Sequence, residues 1–168
     1  VKKVVIIDID NCLADDAWRR EFLRPQYEQS GLRQSLSPWH VYHDLAPLDT
    51  PGFVHEFEVF MRHEQPTDVF FCTMRPEIYR YSTHHWLQRH HPSIRGRVIH
   101  RGIEDERPPV RVKFSMLCEI CRKHDFALSD IIAAFDDHRA VLDMYREEGL
   151  RAVEANIELG IFDWKPGA

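Results

Sequence analysis

The sequence predicts an α/β fold of three layers, a mainly parallel sheet with helices on both faces, and three features predict it. Short apolar runs recur along the chain, each ends at polar or acidic residues, and segments of helical spacing separate them. A strand covered on both faces reads as a continuous apolar run, because neither face meets water.

The first run is Val4-Val5-Ile6-Ile7, followed at once by Asp8-Ile9-Asp10-Asn11. Val69-Phe70-Phe71-Cys72 ends at Thr73, and Ile131-Ile132-Ala133-Ala134-Phe135 ends at Asp136-Asp137. Shorter strand candidates fall at 97–100 and 151–154. Helical spacing is carried by Tyr81, Trp86 and Leu87 in 77–90, by Val112, Met116, Leu117 and Ile120 in 110–124, and by Val141, Met144 and Tyr145 in 140–148. Gly149 then supplies a C-cap. In parallel sheets of this kind ligands bind at the carboxyl ends of the strands, so Asp8, Thr73 and Asp136 are expected on one edge. Residues 15–65 break the alternation, with helices expected at 17–23 and 53–62 around a middle that bears Pro and His. They are expected to form a small, mainly helical cap over that edge, leaving 1–14 and 66–168 as the catalytic core.

The 168 residues, 43% hydrophobic, suffice for one compact domain with a real core. A formal net charge of -5 gives no general attraction to nucleic acid or to an anionic membrane, although a local basic rim is compatible with it. No apolar stretch approaches the ~18 residues that cross a bilayer, and the expectation is a soluble, cytoplasmic protein without a membrane partner. Four cysteines form no convincing disulfide framework and are expected to be reduced thiols. The opening residue is Val rather than Met, which fits either a removed initiator or a piece of a longer polypeptide.

Side chains alternate along extended chain, so Asp8 and Asp10 leave the first strand on one side. Two carboxylates facing one small volume repel each other unless a cation or a shared proton intervenes, which makes Mg2+ a natural occupant; a solvated acidic turn is the plainer account of the same motif. Thr73, in Cys72-Thr73-Met74-Arg75-Pro76, offers a hydroxyl and the following N–H groups to phosphoryl oxygens, and equally suits a helix cap. Lys113 offers a cation to a transferred phosphoryl group, though a lone Lys is ordinarily solvated. Asp136-Asp137, again at a strand end, favours metal binding over a solvated turn.

The order acid pair, hydroxyl, lysine, acid pair resembles the four signature motifs of the haloacid dehalogenase (HAD) superfamily, from Lys3 to about Phe162. Met74-Arg75-Pro76-Glu77 leading to Trp86-Leu87, and Asp136-Asp137-His138-Arg139 leading to Met144-Tyr145-Arg146 and Gly149, resemble the phosphatase domain of polynucleotide kinase-phosphatases and related small phosphatases of phage and bacteria. The resemblance implies a Rossmann-like, HAD-like core. It implies a Mg2+-dependent phosphomonoesterase in which Asp8 is the nucleophile, Asp10 the general acid and base, and Thr73 and Lys113 donors to the phosphoryl group. Mg2+ is implied at Asp8, the backbone carbonyl of Asp10, and Asp136, with Asp137 bound directly or through water. Asn11 and Met74 are expected to shape the phosphate loop at the substrate, and Arg75 follows the hydroxyl residue closely enough to reach a second phosphate or substrate oxygen, or else to pair with a nearby acid. Cys12 stands where the family usually has Thr, and Met74 where a Gly commonly follows the hydroxyl residue.

The implied substrate is a nucleotide or the 3' end of a nucleic acid. A small-molecule 5'-nucleotidase is the alternative, phosphotransfer to an acceptor other than water a third, and a catalytically silent phosphate-binding domain the alternative of another class. A kinase domain accompanies such phosphatases in longer polypeptides, but no GxxxxGK[ST] motif occurs here. Trp39 and His40, in Trp39-His40-Val41-Tyr42-His43, are candidates to stack on a base, against the plainer expectation of a small core for the insertion. Cys118 and Cys121 are expected to face the core rather than hold zinc, and Arg95, Arg97, Arg101, Arg107 and Arg111 form a loose basic series. Oligomeric state is not legible.

Overall fold

A computed structural model of the chain describes residues 2–24 and 37–167. The strands are β1 (Val4–Ile7), β2 (Ala14–Asp15), β3 (Thr50–Pro51), β4 (Asp68–Pro76), β5 (Arg97–Arg101), β6 (Ile131–Asp136), β7 (Ala152–Asn156) and β8 (Ile161–Phe162). The α-helices are α1 (Ala17–Arg20), α2 (Pro38–Asp44), α3 (Val54–Glu64), α4 (Arg80–His90), α5 (Pro109–His124) and α6 (Arg139–Glu147). Six strands form one sheet in the order β5-β4-β1-β6-β7-β8, parallel except where β8 runs against β7. From β1 the chain first steps outward to β4 and β5, then returns past β1 to β6 and β7. The strand order therefore reverses at β1, and a crevice opens beyond its carboxyl end.

The continuous apolar runs are explained by burial from both sides. Val5, Ile7, Val69, Phe71, Ala133 and Phe135 point into the layer made by α3 and α4, while Val4, Ile6, Phe70, Cys72 and Ala134 point into the layer of α5 and α6. Phe57 and Phe60 of α3 are fully buried, with ring centroids 5.1 and 4.8 Å from Phe135. Burying such a ring contributes about 1.5–3 kcal/mol. The expected boundary of the insertion at residue 65 is thus corrected: α3 is a helix of the body, held by two Phe rings, and does not lie over the active edge. What the structure describes of the insertion over that edge is α1, α2, the short β2–β3 ladder and the 3-10 turns at Glu21–Leu23 and Ala46–Leu48. The rest of it, 25–36, lies outside the described residues.

The chain is closely packed where it enters β5. A Cβ at Gly96 would lie 2.7 Å from the carbonyl oxygen of Val69 and 2.8 Å from the Phe71 ring. Gly96→Ala is expected to lower unfolding free energy by about 1–3 kcal/mol in a denaturant titration, because backbone and a buried ring have no room to yield. Among the described residues no helix is long and apolar enough to cross a membrane.

The α5 helix corrects one expectation. Its core-facing residues are Val112, Lys113, Met116, Leu117 and Ile120, and this phase leaves Cys118 exposed, while Cys121, partly buried, packs against the core as expected.

Candidate active site

At the carboxyl end of β1 the chain turns sharply, and Asn11 adopts φ +59°, a left-handed conformation that Asn tolerates better than most residues. Its side chain fastens the turn to two other loops. Nδ2 donates to Asp137 Oδ2 at 2.8 Å and to Asn156 Oδ1 at 3.1 Å, and Oδ1 accepts from the Glu158 N–H at 3.0 Å. The loops after β1, β6 and β7 are thereby joined.

Asp8, Asp136 and Asp137 present carboxylate oxygens within 4.8 Å of one another. Lys113, on the buried face of α5, donates from Nζ to Asp8 Oδ1 and, at 2.6 Å, to Asp136 Oδ2. The His138 N–H holds Asp136 Oδ1 at 3.0 Å. Burial pushes the Asp8 carboxyl well above its ordinary value, Lys113 offsets part of this, and the neighbouring Asp136, Asp137 and Asp10 push it further up. Burial opposes charge on Lys113, but Asp136 and Asp8 outweigh it and keep the ammonium firmly protonated. Asp137 is pushed up to about 6 by burial and by Asp136. Three carboxylates against one ammonium leave two negative charges, so the donor set fits a hard divalent cation with oxygen ligands. The carboxylate of Asp10 is not part of this group.

Asp10 faces the opposite wall. Arg75 donates to it from Nε at 3.1 and 3.2 Å and from Nη2 at 2.7 Å, and Arg19 Nη2 donates to the same carboxylate. Burial alone would raise Asp10, but Arg75 and then Arg19 outweigh it and hold the carboxyl well below the usual range. Behind both guanidiniums lies Asp49, fully enclosed, which accepts from Arg19 Nε at 2.8 and 3.0 Å, Arg19 Nη2 at 2.7 Å, Arg75 Nη2 at 3.3 Å and Trp18 Nε1 at 3.1 Å. The Asp49 carbonyl accepts from Trp86 Nε1 at 2.9 Å, which ties the insertion to α4. Arg19 also lies 4.0 Å over the Tyr42 ring.

A cavity of about 190 Å³ between these walls is lined by Asp8, Asp10, Asn11, Met74, Lys113, Asp136 and Asp137, with Asp16, Arg20 and Tyr42 on the side of the insertion. Thr73 stands at the expected strand end but is fully buried, and its Oγ accepts from the Arg75 N–H at 3.1 Å. It caps no helix, because β4 continues to Pro76 and a 3-10 turn at Glu77–Tyr79 precedes α4. Arg75 forms the ion pair that its acidic neighbours allow, while Nη1 stays buried without a partner among the described residues. Trp39 is 58% exposed, its ring 6.1 Å from that of His43, and the His40 carbonyl accepts from Tyr79 Oη at 3.5 Å. Neither Trp39 nor His40 lines the cavity; Tyr42 does, and the buried His43 sits behind it, pushed down to about 4 by burial.

Sequence reasoning missed Arg19, Asp49 and Asn156, and met Tyr42 only as a member of the aromatic stretch 39–43 rather than as a wall of the cavity. Asn156 could have been found, since it ends the fifth parallel strand at the same edge as Asp8 and Asp136. Arg19 carries no such signal: in Trp18-Arg19-Arg20 nothing distinguishes the buried guanidinium from its more exposed neighbour.

No family model matches this chain, and no curated relative does. Solved structures share its fold. A chain of the Pnkp1/Rnl/Hen1 RNA repair complex superimposes with a TM-score of 0.63 at 20% identity, covering 92% of this chain and 43% of that one. A HAD-superfamily hydrolase of subfamily IA from Geobacter sulfurreducens superimposes at 0.59 with 14% identity, covering 92% and 89%. A haloacid dehalogenase-like hydrolase from Streptococcus pneumoniae superimposes at 0.57 with 12% identity, covering 91% and 84%. The chain spans less than half the length of the RNA-repair chains it matches. With the strand order and the crevice at β1, these likenesses show that the chain has the fold of the HAD-superfamily hydrolases.

Proposed function

We propose that this chain is a Mg2+-dependent phosphomonoesterase that acts through an aspartyl-phosphate on Asp8, on a nucleotide or a nucleic-acid 3'-phosphate. The observation that carries the proposal is the convergence of Asp8, Asp136 and Asp137 within 4.8 Å, with Lys113 buried between Asp8 and Asp136. Asp8, Asp136, Asp137 and the Asp10 carbonyl would hold the metal, which supplies positive charge to phosphoryl oxygens. An Asp8 oxygen attacks phosphorus, the bond to the leaving oxygen breaks, and that oxygen takes a proton from Asp10. Water then attacks the acyl phosphate, giving its proton back to Asp10 and freeing Asp8 and inorganic phosphate.

Asp10 is ionised while Arg19 and Arg75 hold it, so its part as acid requires a protonated carboxyl that the resting pair disfavours. An arriving phosphate dianion works in the needed direction, since a like charge nearby raises a carboxyl pKa. Arg75, enclosed behind Asp10 and outside the cavity lining, acts on the substrate through that carboxylate, and Thr73 fixes the Arg75 backbone. Met74 and Asn11 wall the phosphate end, and the ring of Trp39 beside His40 is the surface on which a base would stack. The likeness to a chain of the Pnkp1/Rnl/Hen1 RNA repair complex supports a nucleic-acid end over a small 5'-nucleotide.

The test is phosphate release from an aryl phosphate, 5'- and 3'-nucleoside monophosphates and a 3'-phosphorylated oligonucleotide, with Mg2+ or EDTA. Release that requires Mg2+ is expected; none from any substrate, with the metal bound, would leave a silent phosphate-binding domain. Metal affinity itself is expected to follow pH. A carboxyl raised to about 6 holds its proton below that pH and must lose it to ligate, so titration calorimetry should find Mg2+ binding at least about tenfold weaker at pH 5 than at pH 7.

A further inference from the structure

Away from the cavity, two grooves meet on the side of the molecule where α4 lies beside the edge strand β5. One, of about 590 Å³, is lined by Ile78, Arg80, Tyr81, His84, Arg97 and Val98. The other, of about 410 Å³, continues it past Arg95, Gln88 and His91. They share His84 and Gly96. Neither groove is lined by a single Asp or Glu, in a chain whose net charge is -5.

From this geometry we infer that the α4–β5 groove is an exosite for single-stranded polynucleotide, which holds the strand leading to a 3' end placed at Asp8. The inference rests on the phosphatase activity proposed above. Tyr81 is 87% exposed and Ile78 is exposed beside it, an arrangement that costs apolar contact with water and offers a face for base stacking. The cations around them suit a phosphate backbone. Arg95 has no carboxylate partner among the described residues, and the partners of Arg80 and Arg97, which are Glu77 and Asp68, stand outside the groove lining in exposed pairs that a phosphate can replace at small cost.

The groove connects with the site. The Tyr79 ring, one residue from Ile78 and Arg80, lies 5.2 Å from that of His43, within electrostatic reach of Asp10. From Arg101, beside the end of β4, the strand β5 leads back to Arg97 over about 13 Å, at ~3.3 Å per residue. A strand entering along it therefore meets several nucleotides' worth of cationic and aromatic surface before its terminus reaches the cavity.

The experiment compares wild type with Tyr81→Ala and Arg95→Glu, both far from the catalytic residues, on a 3'-phosphorylated single-stranded decamer, a 3'-nucleoside monophosphate and an aryl phosphate. With melting temperatures matched, the decamer KM is expected to rise about tenfold in each variant while kcat holds. Turnover of the two small substrates should not change, and Arg95→Glu should lessen the salt dependence of decamer binding. A decamer KM unmoved by both substitutions overturns the exosite and leaves the phosphatase standing. Should wild type release no phosphate at all, fluorescence anisotropy of a 3'-hydroxyl decamer decides separately: binding weakened by Tyr81→Ala supports the groove without the chemistry, and no binding refutes it.

Discussion

Asp8→Asn is expected to lower kcat by at least about 10⁴-fold on every substrate the wild type hydrolyses, the scale seen when a covalent nucleophile is removed. An amide oxygen is a poor nucleophile toward phosphorus, and no neighbouring group can replace Asp8. Asp10 is held by two guanidiniums on the other wall, and Asp136 is engaged by Lys113 and by the His138 N–H. The fold should not suffer. The substitution removes one of three crowded carboxylates while Lys113 keeps Asp136, so the melting temperature without metal should be unchanged or higher. A measured kcat within tenfold of wild type would show that Asp8 does not carry the phosphoryl group.

The second large effect is on stability. Arg19 is completely enclosed, is bonded to both oxygens of the equally enclosed Asp49, and contacts Asp10 and the Tyr42 carbonyl. Arg19→Ala would leave Asp49 with only the longer contact to Arg75 and the Trp18 indole, and an uncompensated buried charge costs about 3–5 kcal/mol. Urea denaturation should show a loss of that size. The double variant Arg19→Met with Asp49→Asn should lose less than the two single changes added together, because neither leaves a charge unpaired in the other's presence. A loss under about 1 kcal/mol for Arg19→Ala, the range of solvated surface pairs, would mean that water reaches this pair in solution. Activity should also fall, since Asp10 would lose one of its two guanidiniums.

These two residues differ in how visible they are in the sequence. Asp8 follows a run buried on both faces, and the rule that ligands gather at the carboxyl ends of parallel strands brings Asp8, Thr73 and Asp136 to one edge before any coordinates exist. Lys113 needs more, because only the helical phase set by Val112, Met116 and Leu117 turns it inward. Arg19 and Asp49 lie in short elements with no periodicity: α1 has four residues, and Asp49 ends a 3-10 turn. Their burial is decided by contacts between segments about thirty residues apart, which local spacing cannot encode. The same limit hid β8, two residues long, and α2, whose Pro and His residues read as irregular chain. It also misassigned α3, whose apolar face is as suited to a cap as to the sheet until Phe135 is seen opposite Phe57 and Phe60.

Asn11 has a consequence for how such a protein can change over generations. A glycine would satisfy the left-handed backbone there but surrender the bonds to Asp137, Asn156 and the Glu158 N–H. With Asn in place, the loops that carry the acidic half of the cavity are tied to one another, and a substitution in one disturbs its neighbours. The opposite half, where Asp16, Arg20 and Tyr42 meet the cavity from the insertion, is joined to these loops by the half-exposed ion pair of Arg20 with Glu158 at 2.8 Å. Selection for a new leaving group therefore has its freer route through partly exposed side chains of the insertion such as Arg20, while the enclosed Arg19 and the acidic loops stay conservative.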